Sequence, residues 1–275
     1  MPLTYSQHLA EGTMRLGTSP TPALDARVLL CAASGLDHAG LIAAARDEVP
    51  KEAAGKYARM LSRRAGGEPV AYITGEQEFF GRMFKVTRDT LIPRPETEML
   101  VEAAVAAAGP NPRVLDLGTG TGCLLLSVLG ELTSAHGVGI DKSPGALQVA
   151  EKNAHLLKLD RWAEFRMLDF RYAPDGPFDI ILSNPPYIED AAELPVSVAG
   201  YEPELALRAG ADGLDAYRVL APVIAERLAP GGHAFLEIGT GQGEAVSSLM
   251  KADMPEREVS VHKDLAGHER MVTVR

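Results

Sequence analysis

Apolar and polar positions alternate along this chain with two different periods, and the change from one to the other divides it. Over the first ~75 residues the apolar positions recur at helical spacing in four stretches, 4–16, 22–33, 39–45 and 51–65, separated by glycine and proline. Four short helices of this kind predict a small bundle covering residues 1–75. The run Arg64-Ala65-Gly66-Gly67-Glu68-Pro69 breaks the pattern. Residues 78–86 then alternate as a β-hairpin turning at Gly81-Arg82, inside a connector spanning 76–92.

From residue 93 to 275 short apolar runs alternate with helical stretches. Strands are predicted at 113–118, 136–141, 163–169, 178–183 and 232–238, with helices at 97–108, 122–132, 144–157 and 212–228. Strand and helix in strict alternation predict a parallel sheet covered on both faces, an α/β doubly wound fold. Residues 258–262 and 270–274 add a final hairpin, which brings the sheet to seven strands. Ligands in such sheets bind beyond the carboxyl ends of the strands.

Two features at those strand ends carry chemistry. The strand Arg113-Val114-Leu115-Asp116-Leu117 runs into Gly118-Thr119-Gly120-Thr121-Gly122 and then an apolar helix start. Glycines there let the backbone turn tightly and approach a ligand. Such a turn serves dinucleotides, serves S-adenosylmethionine, or simply packs a helix on a sheet. The next strand ends in Asp141, about 20 residues on, where a ribose-hydroxyl partner is expected. Asp116 either orients the glycine loop or meets the ammonium of a methionine. Asp169, placed at the end of the third strand, either accepts from an adenine amino group, with Phe170 covering the ring, or caps the next turn.

The second feature is Asn184-Pro185-Pro186-Tyr187, closing the strand Phe178-Asp179-Ile180-Ile181-Leu182-Ser183. An amide nitrogen is a poor nucleophile because its lone pair is delocalised. The Asn184 side-chain oxygen and the Pro185 carbonyl can each accept one N–H of a planar NH2 group and aim its lone pair outward. Proline stiffens the loop and contributes no competing donor, and Tyr187 can cover a flat group with its ring. The same residues also read as a Pro-Pro turn with a packing tyrosine. A nucleoside pocket beside an amide clamp suits methyl transfer to nitrogen and offers nothing for hydride transfer.

Composition narrows the picture. At 275 residues and 46% hydrophobic the chain can bury a substantial core. No run approaches the ~20 apolar residues of a membrane span, and the first residues lack the pattern of a secretory signal, so a cytoplasmic protein without a membrane partner is expected. Two cysteines, Cys31 and Cys123, read as small core residues, and seven scattered histidines show no metal-ligand spacing, so no metal is expected. A net charge of −10 argues against a broad nucleic-acid surface; the cluster Arg59, Arg63 and Arg64 reads as a solvated helix face.

Taken together, the motifs resemble the release factor glutamine methyltransferases, called PrmC or HemK. The likeness runs over nearly the whole chain: Ile92-Pro93-Arg94-Pro95-Glu96-Thr97-Glu98, the Asp116 to Gly122 run, Asn184 to Ile188, Tyr201-Glu202-Pro203, Asp212-Gly213-Leu214, Leu236-Glu237-Ile238-Gly239 and Lys263 to Gly267. The Asn-Pro-Pro-Tyr motif alone is shared with adenine-N6 methyltransferases of DNA and RNA; the proline-flanked Arg94 segment is more specific. The resemblance implies a Rossmann-like methyltransferase sheet, S-adenosyl-L-methionine as methyl donor with S-adenosyl-L-homocysteine as product, and class I peptide chain release factors as protein partners. The methyl acceptor would be the glutamine of their Gly-Gly-Gln motif. Residues Gly118, Thr119, Gly120, Thr121, Gly122, Asp141, Asp169, Phe170 and Asn184 would meet the donor. Asn184, Pro185, Pro186 and Tyr187 would hold the glutamine, with Asn184, Pro185 and Tyr187 catalytic. The segment Arg94 to Glu98, with Arg94 and Glu96 foremost, would line the substrate side, although Pro95 before Glu96 and Glu98 also suits a plain helix N-terminus. The helical domain would recognise the protein substrate beyond that loop, and no stable nucleic-acid binding is implied. An adenine-N6 methyltransferase and a noncatalytic nucleoside-binding partner of translation are the competing readings.

Overall fold

The computed structural model describes residues 2–275, and the chain divides into two compact units. The first runs to Glu76 and takes in Leu194–Tyr201. It holds α1 (Tyr5–Arg15), α2 (Pro22–Ser34), α3 (His38–Ala43), α4 (Lys51–Ala65) and α5 (Val70–Thr74). Thr4 closes the N-terminus of α1 with a capping box: its hydroxyl accepts from Gln7 N–H while the Gln7 side chain accepts from Thr4 N–H. Leu16, Leu29, Leu30, Tyr57 and Leu61 form the core of this unit. The turn-length α5 was not expected. It follows Pro69 and ends at Gly75 in the left-handed conformation, so five residues between two punctuating ones suffice for a helical turn.

Two of the arginines of α4 are engaged in ion pairs. Arg64 pairs with the buried Asp25, which also accepts from the hydroxyls of Ser19 and Thr21, and Arg63 makes a two-pronged pair with Glu68. Arg59 and Arg63 remain on the exposed face expected of this cluster, and Arg64 is the member drawn inward.

The second unit, Gln77–Glu193 with Glu202–Arg275, carries the sheet. It begins with the hairpin β1 (Glu76–Phe79) and β2 (Arg82–Lys85). The turn falls one residue earlier than expected, at Phe80-Gly81, both with positive φ (50° and 69°), the requirement of a two-residue hairpin loop. Then follow α6 (Glu98–Ala107), β3 (Arg113–Leu117), α7 (Cys123–Glu131), β4 (His136–Asp141), α8 (Pro144–Leu157), β5 (Ala163–Met167) and β6 (Phe178–Ser183). After the short α9 (Val196–Ala199) in the first unit come α10 (Asp215–Arg227), β7 (Leu228–Glu237), α11 (Gly243–Asp253), β8 (Val259–Lys263) and β9 (Glu269–Val274).

The seven strands stand in the order β5-β4-β3-β6-β7-β9-β8. The first five are mutually parallel, and β9 runs antiparallel between β7 and β8. Alternate residues of the central strands serve opposite faces. Leu115, Leu117 and Ile181 join Tyr217, Ile224, Val246 and Met250 in one layer. Val114, Ile180 and Leu182 join Leu100, Leu125, Leu126, Phe79 and Phe84 in the other.

Three expectations need correction. Strand β5 ends at Met167, so Asp169 is not a strand residue: it caps the 3-10 turn Phe170–Tyr172, its carboxylate accepting from Arg171 N–H at 2.9 Å. Strand β7 starts four residues earlier than expected, through Pro230-Gly231-Gly232, at the cost of a register irregularity against β6. Helix α11 was missed altogether. Among the described residues no helix is long and apolar enough to cross a membrane. Cys31 and Cys123 are free and half-buried.

Candidate active site

The glycine loop is built by its own strand ends. Gly118, Gly120 and Gly122 all take positive φ (81°, 54° and 79°), a path that residues with side chains enter only with strain. Gly118 N–H and Thr119 N–H both donate to the Ile140 carbonyl, and Gly120 N–H donates to Asp141 Oδ2 at 2.9 Å. Asp141 Oδ1 accepts from Ser143 N–H, so this carboxylate ties two loops at the ends of β3 and β4.

Asp116 is buried and accepts from the Thr119 hydroxyl at 2.6 Å, a bond that steadies the loop. Its Oδ1 has no hydrogen-bond partner. Burial outweighs the Thr119 bond and raises its pKa to about 7.

A cavity of about 430 Å³ opens at these strand ends, a volume within the range of small-ligand sites. Gly118, Thr119, Gly120, Thr121, Asp141, Asp169, Phe170, Asn184 and Pro186 line it. The Phe170 ring covers Gly118: a Cβ there would lie 3.3 Å from it. Gly122 does not line the cavity. A Cβ on it would sit 3.0 Å from Leu126 and 3.3 Å from Ala150, so this glycine serves helix packing. Asp169 is paired with Lys142 at 2.5 Å and lies near Arg171, cations that hold its carboxyl below the usual range against the opposing effect of burial.

The amide-clamp residues sit beside this cavity. Ser183 donates to the Leu117 carbonyl at 2.7 Å and fastens the end of β6 to the end of β3. Asn184 follows immediately and faces the cavity; Pro185 is buried and Tyr187 half-buried, and neither lines it. The backbone beyond is stapled to the 207–210 segment: Ile188 N–H donates to the Leu207 carbonyl, Ala209 N–H to the Ile188 carbonyl, and the Arg208 guanidinium to the carbonyls of Glu189, Asp190 and Ala192. Gln242 Nε2 donates to the Tyr187 carbonyl, and a Cβ on Gly213 would fall 2.4 Å from that same oxygen.

Arg94 and Glu96 lie outside the cavity lining, although their neighbours Pro93 and Thr97 belong to it. Arg94 pairs with Glu202 at 2.5 Å, and the other Glu202 oxygen accepts from Ile92 N–H, which fixes the backbone leading into α6.

Thr97 entered the sequence reading only within the Arg94 to Glu98 segment and Glu237 only within the Leu236 to Gly239 motif. Glu237, the last residue of β7, is fully buried; its Oε2 accepts from the Thr97 hydroxyl at 2.6 Å and its Oε1 from the Tyr187 hydroxyl at 3.5 Å. Asn184 Nδ2 in turn donates to Thr97 Oγ1 at 3.3 Å. The usable signal was a charged residue closing an otherwise apolar strand at the carboxyl end of the sheet, where such residues serve ligands. Burial raises the Glu237 pKa to about 7, assisted by Glu96 and opposed by Thr97 and Arg270.

Both buried carboxyls have pKa values raised above their unfolded values near 4, so their contribution to stability is complete below pH ~4 and is lost as pH rises through about 7. The melting temperature is therefore expected to climb as pH falls from 7.5 to 5.5. In Glu237→Gln that climb should be smaller; an identical slope in scanning calorimetry would refute the assignment.

A parallel sheet reversed only at β9, a glycine loop after β3 and an amide-bearing loop after β6 define a Rossmann-like methyltransferase. The ribosomal protein L11 methylase of Lactobacillus delbrueckii subsp. bulgaricus has this fold, with a TM-score of 0.52 at 17% identity over 72% of this chain and 89% of that one. Residues 7–75 match the family profile of the PrmC N-terminal domain and residues 109–223 that of a methyltransferase domain. The release factor glutamine methyltransferase of Cereibacter sphaeroides is 49% identical over 92% of this chain and 91% of its own length. That of Bradyrhizobium diazoefficiens is 44% identical over 92% and 87%. The chain belongs to the release factor glutamine methyltransferase family.

Proposed function

We propose that this enzyme transfers the methyl group of S-adenosylmethionine to the side-chain nitrogen of the glutamine in the Gly-Gly-Gln motif of class I peptide chain release factors. The observation that carries this reading is the Asn184 side chain facing a glycine-lined cavity while its own Nδ2 is engaged by Thr97. With Nδ2 occupied, Oδ1 is the atom left to accept from a substrate NH2.

The cavity suits the donor in size and in chemistry. The glycine loop, with Asp141 and Phe170, would hold the nucleoside, the Phe170 ring lying flat-group fashion over Gly118. When bound, S-adenosylmethionine supplies an electrophilic sulfonium methyl. Asn184 and the Pro185 carbonyl orient the glutamine NH2 so that its lone pair meets that methyl in line. Alignment of this sort accounts for most of the barrier reduction, and both oxygens also face the positive charge that develops on nitrogen. The methylated amide nitrogen is acidic enough to lose its proton to water. Arg94 and Glu96, beside Pro93 and Thr97, are assigned to the peptide that flanks the glutamine. The N-terminal helical unit is assigned to recognition of the protein substrate away from that loop.

Incubating the protein with S-adenosylmethionine and a recombinant class I release factor, followed by peptide mass spectrometry, tests the reading. One methyl group on the Gly-Gly-Gln glutamine is expected. A factor left unmodified under conditions where the donor binds would overturn it, and methylated adenine in a nucleic acid offered alongside that unmodified factor would favour the adenine-N6 reading.

A further inference from the structure

A hydroxyl carries one proton, and this fixes the direction of the hydrogen bonds behind Asn184. Thr97 Oγ1 stands between two polar groups, Glu237 Oε2 at 2.6 Å and Asn184 Nδ2 at 3.3 Å. An ionised carboxylate only accepts, so the Thr97 proton must point to Glu237. Thr97 then has only lone pairs for Asn184 and can receive its NH2 group alone. The carboxamide is held in one of its two flips, the one with Oδ1 free.

We propose that Glu237 and Thr97 are positioning residues that set the flip of the Asn184 carboxamide and thereby make it an acceptor for the substrate NH2. This deepens the reading above and rests on it.

The relay has a built-in failure mode. Protonated Glu237 can donate to Thr97, which frees the Thr97 proton for Asn184; the carboxamide can then turn and present Nδ2 to the cavity. Two donors would face each other, and the substrate NH2 would lose its acceptor. Besides Thr97, the groups acting on the Glu237 carboxyl are the Tyr187 hydroxyl, the Glu96 carboxylate and the Arg270 guanidinium, with the Cys123 thiol and the Tyr217 hydroxyl also within its electrostatic reach. Glu96 favours the protonated form and Arg270 the ionised one. The Tyr217 hydroxyl, at 2.7 Å from the Glu237 backbone carbonyl, holds the strand end itself. Methyl transfer therefore belongs to the ionised form and falls away as pH drops below the titration of Glu237, near 7.

The test uses the full chain, saturating S-adenosylmethionine and a recombinant class I release factor. Thr97→Val keeps the shape of the side chain and removes the relay. It is expected to lower kcat about 100-fold, the scale of a misplaced reacting group, with KM for the factor and the affinity for S-adenosylhomocysteine changed less than about threefold. Thr97→Ser, which restores the hydroxyl, should recover most of the rate. Glu237→Gln should remove the acid limb of kcat against pH. Undiminished kcat in Thr97→Val, or an unchanged acid limb in Glu237→Gln, overturns the relay.

A wild-type chain that binds S-adenosylhomocysteine yet never methylates the factor would instead sink the substrate assignment. The relay is then still decided by a measurement that needs no turnover. In the wild type the side-chain 15N resonance of Asn184 should shift with pH through the Glu237 titration, and in Glu237→Gln it should stay fixed. A resonance that does not move in the wild type overturns the relay.

Discussion

Asn184→Ala is expected to lower kcat about 100- to 1,000-fold, the usual cost of removing one preorganised group from the charge that develops during reaction. Affinity for S-adenosylhomocysteine should change far less. Asn184 occupies one position on a cavity wall that the glycine loop, Asp141 and Phe170 also form; the loop and Asp141 are held by their own bonds to Ile140 and Ser143, and the Phe170 ring packs over Gly118. Single-turnover methyl transfer measured beside calorimetric binding separates the two quantities; equal losses in both would mean that Asn184 serves the donor and not the glutamine. Asn184→Asp adds a sharper comparison. A carboxylate retains acceptor oxygens but has no N–H for Thr97, and two groups with lone pairs would then oppose each other. It should be as slow as the alanine variant despite its near-identical shape.

The second large effect is on stability. Asn153 of α8 is fully buried, and its side chain makes three bonds: Oδ1 accepts from Lys85 N–H at 2.7 Å, and Nδ2 donates to the Lys85 carbonyl at 3.0 Å and to the Thr121 carbonyl at 2.9 Å. One amide thus ties strand β2, helix α8 and the glycine loop together. Asn153→Asp replaces both N–H donors with an oxygen aimed at two carbonyls, inside the protein. An uncompensated buried charge costs about 3–5 kcal/mol, a large part of a typical domain's stability of about 5–15 kcal/mol. The urea midpoint should fall steeply, and donor affinity should fall with it because Thr121 belongs to the cavity. An aspartate variant as stable as the parent would show that the amide contributes only shape.

The alternation of strands and helices was legible because β3 and β6 are short and apolar on both faces, while α8 opens on a serine cap followed by proline. The glycine turn and the Asn184 loop were legible because unusual backbone paths demand particular residues. The joint role of Glu237 and Thr97 was not. Their meaning arises from a contact across 140 positions of sequence, and a lone glutamate at a strand end carries no periodic signal. Helix α11 was hidden for a different reason. Only Val246 and Met250 of its eleven residues are buried apolar side chains, it contains two serines, and Gly239-Thr240-Gly241 before it looks like one more loop. The first four residues of β7 were concealed by Pro230 and two glycines, which the sheet tolerates by shifting register. Arg94 read as a substrate residue because it lies in a distinctive segment; its pairing with Glu202, more than a hundred residues away, carried no signal in the sequence.

The place of β9 bears on how the protein is made. Strand β8 is joined to the sheet only through β9, which comes after it in the chain and lies inside it in space. While a ribosome is still extending the chain, β8 emerges with no edge to join, and the exposed side of β7 stays an open template until residues 269–274 arrive. Every molecule therefore passes through a stage in which β7 can capture a strand from a neighbouring nascent chain. Pairing of β9 with β7 is the event that closes this edge.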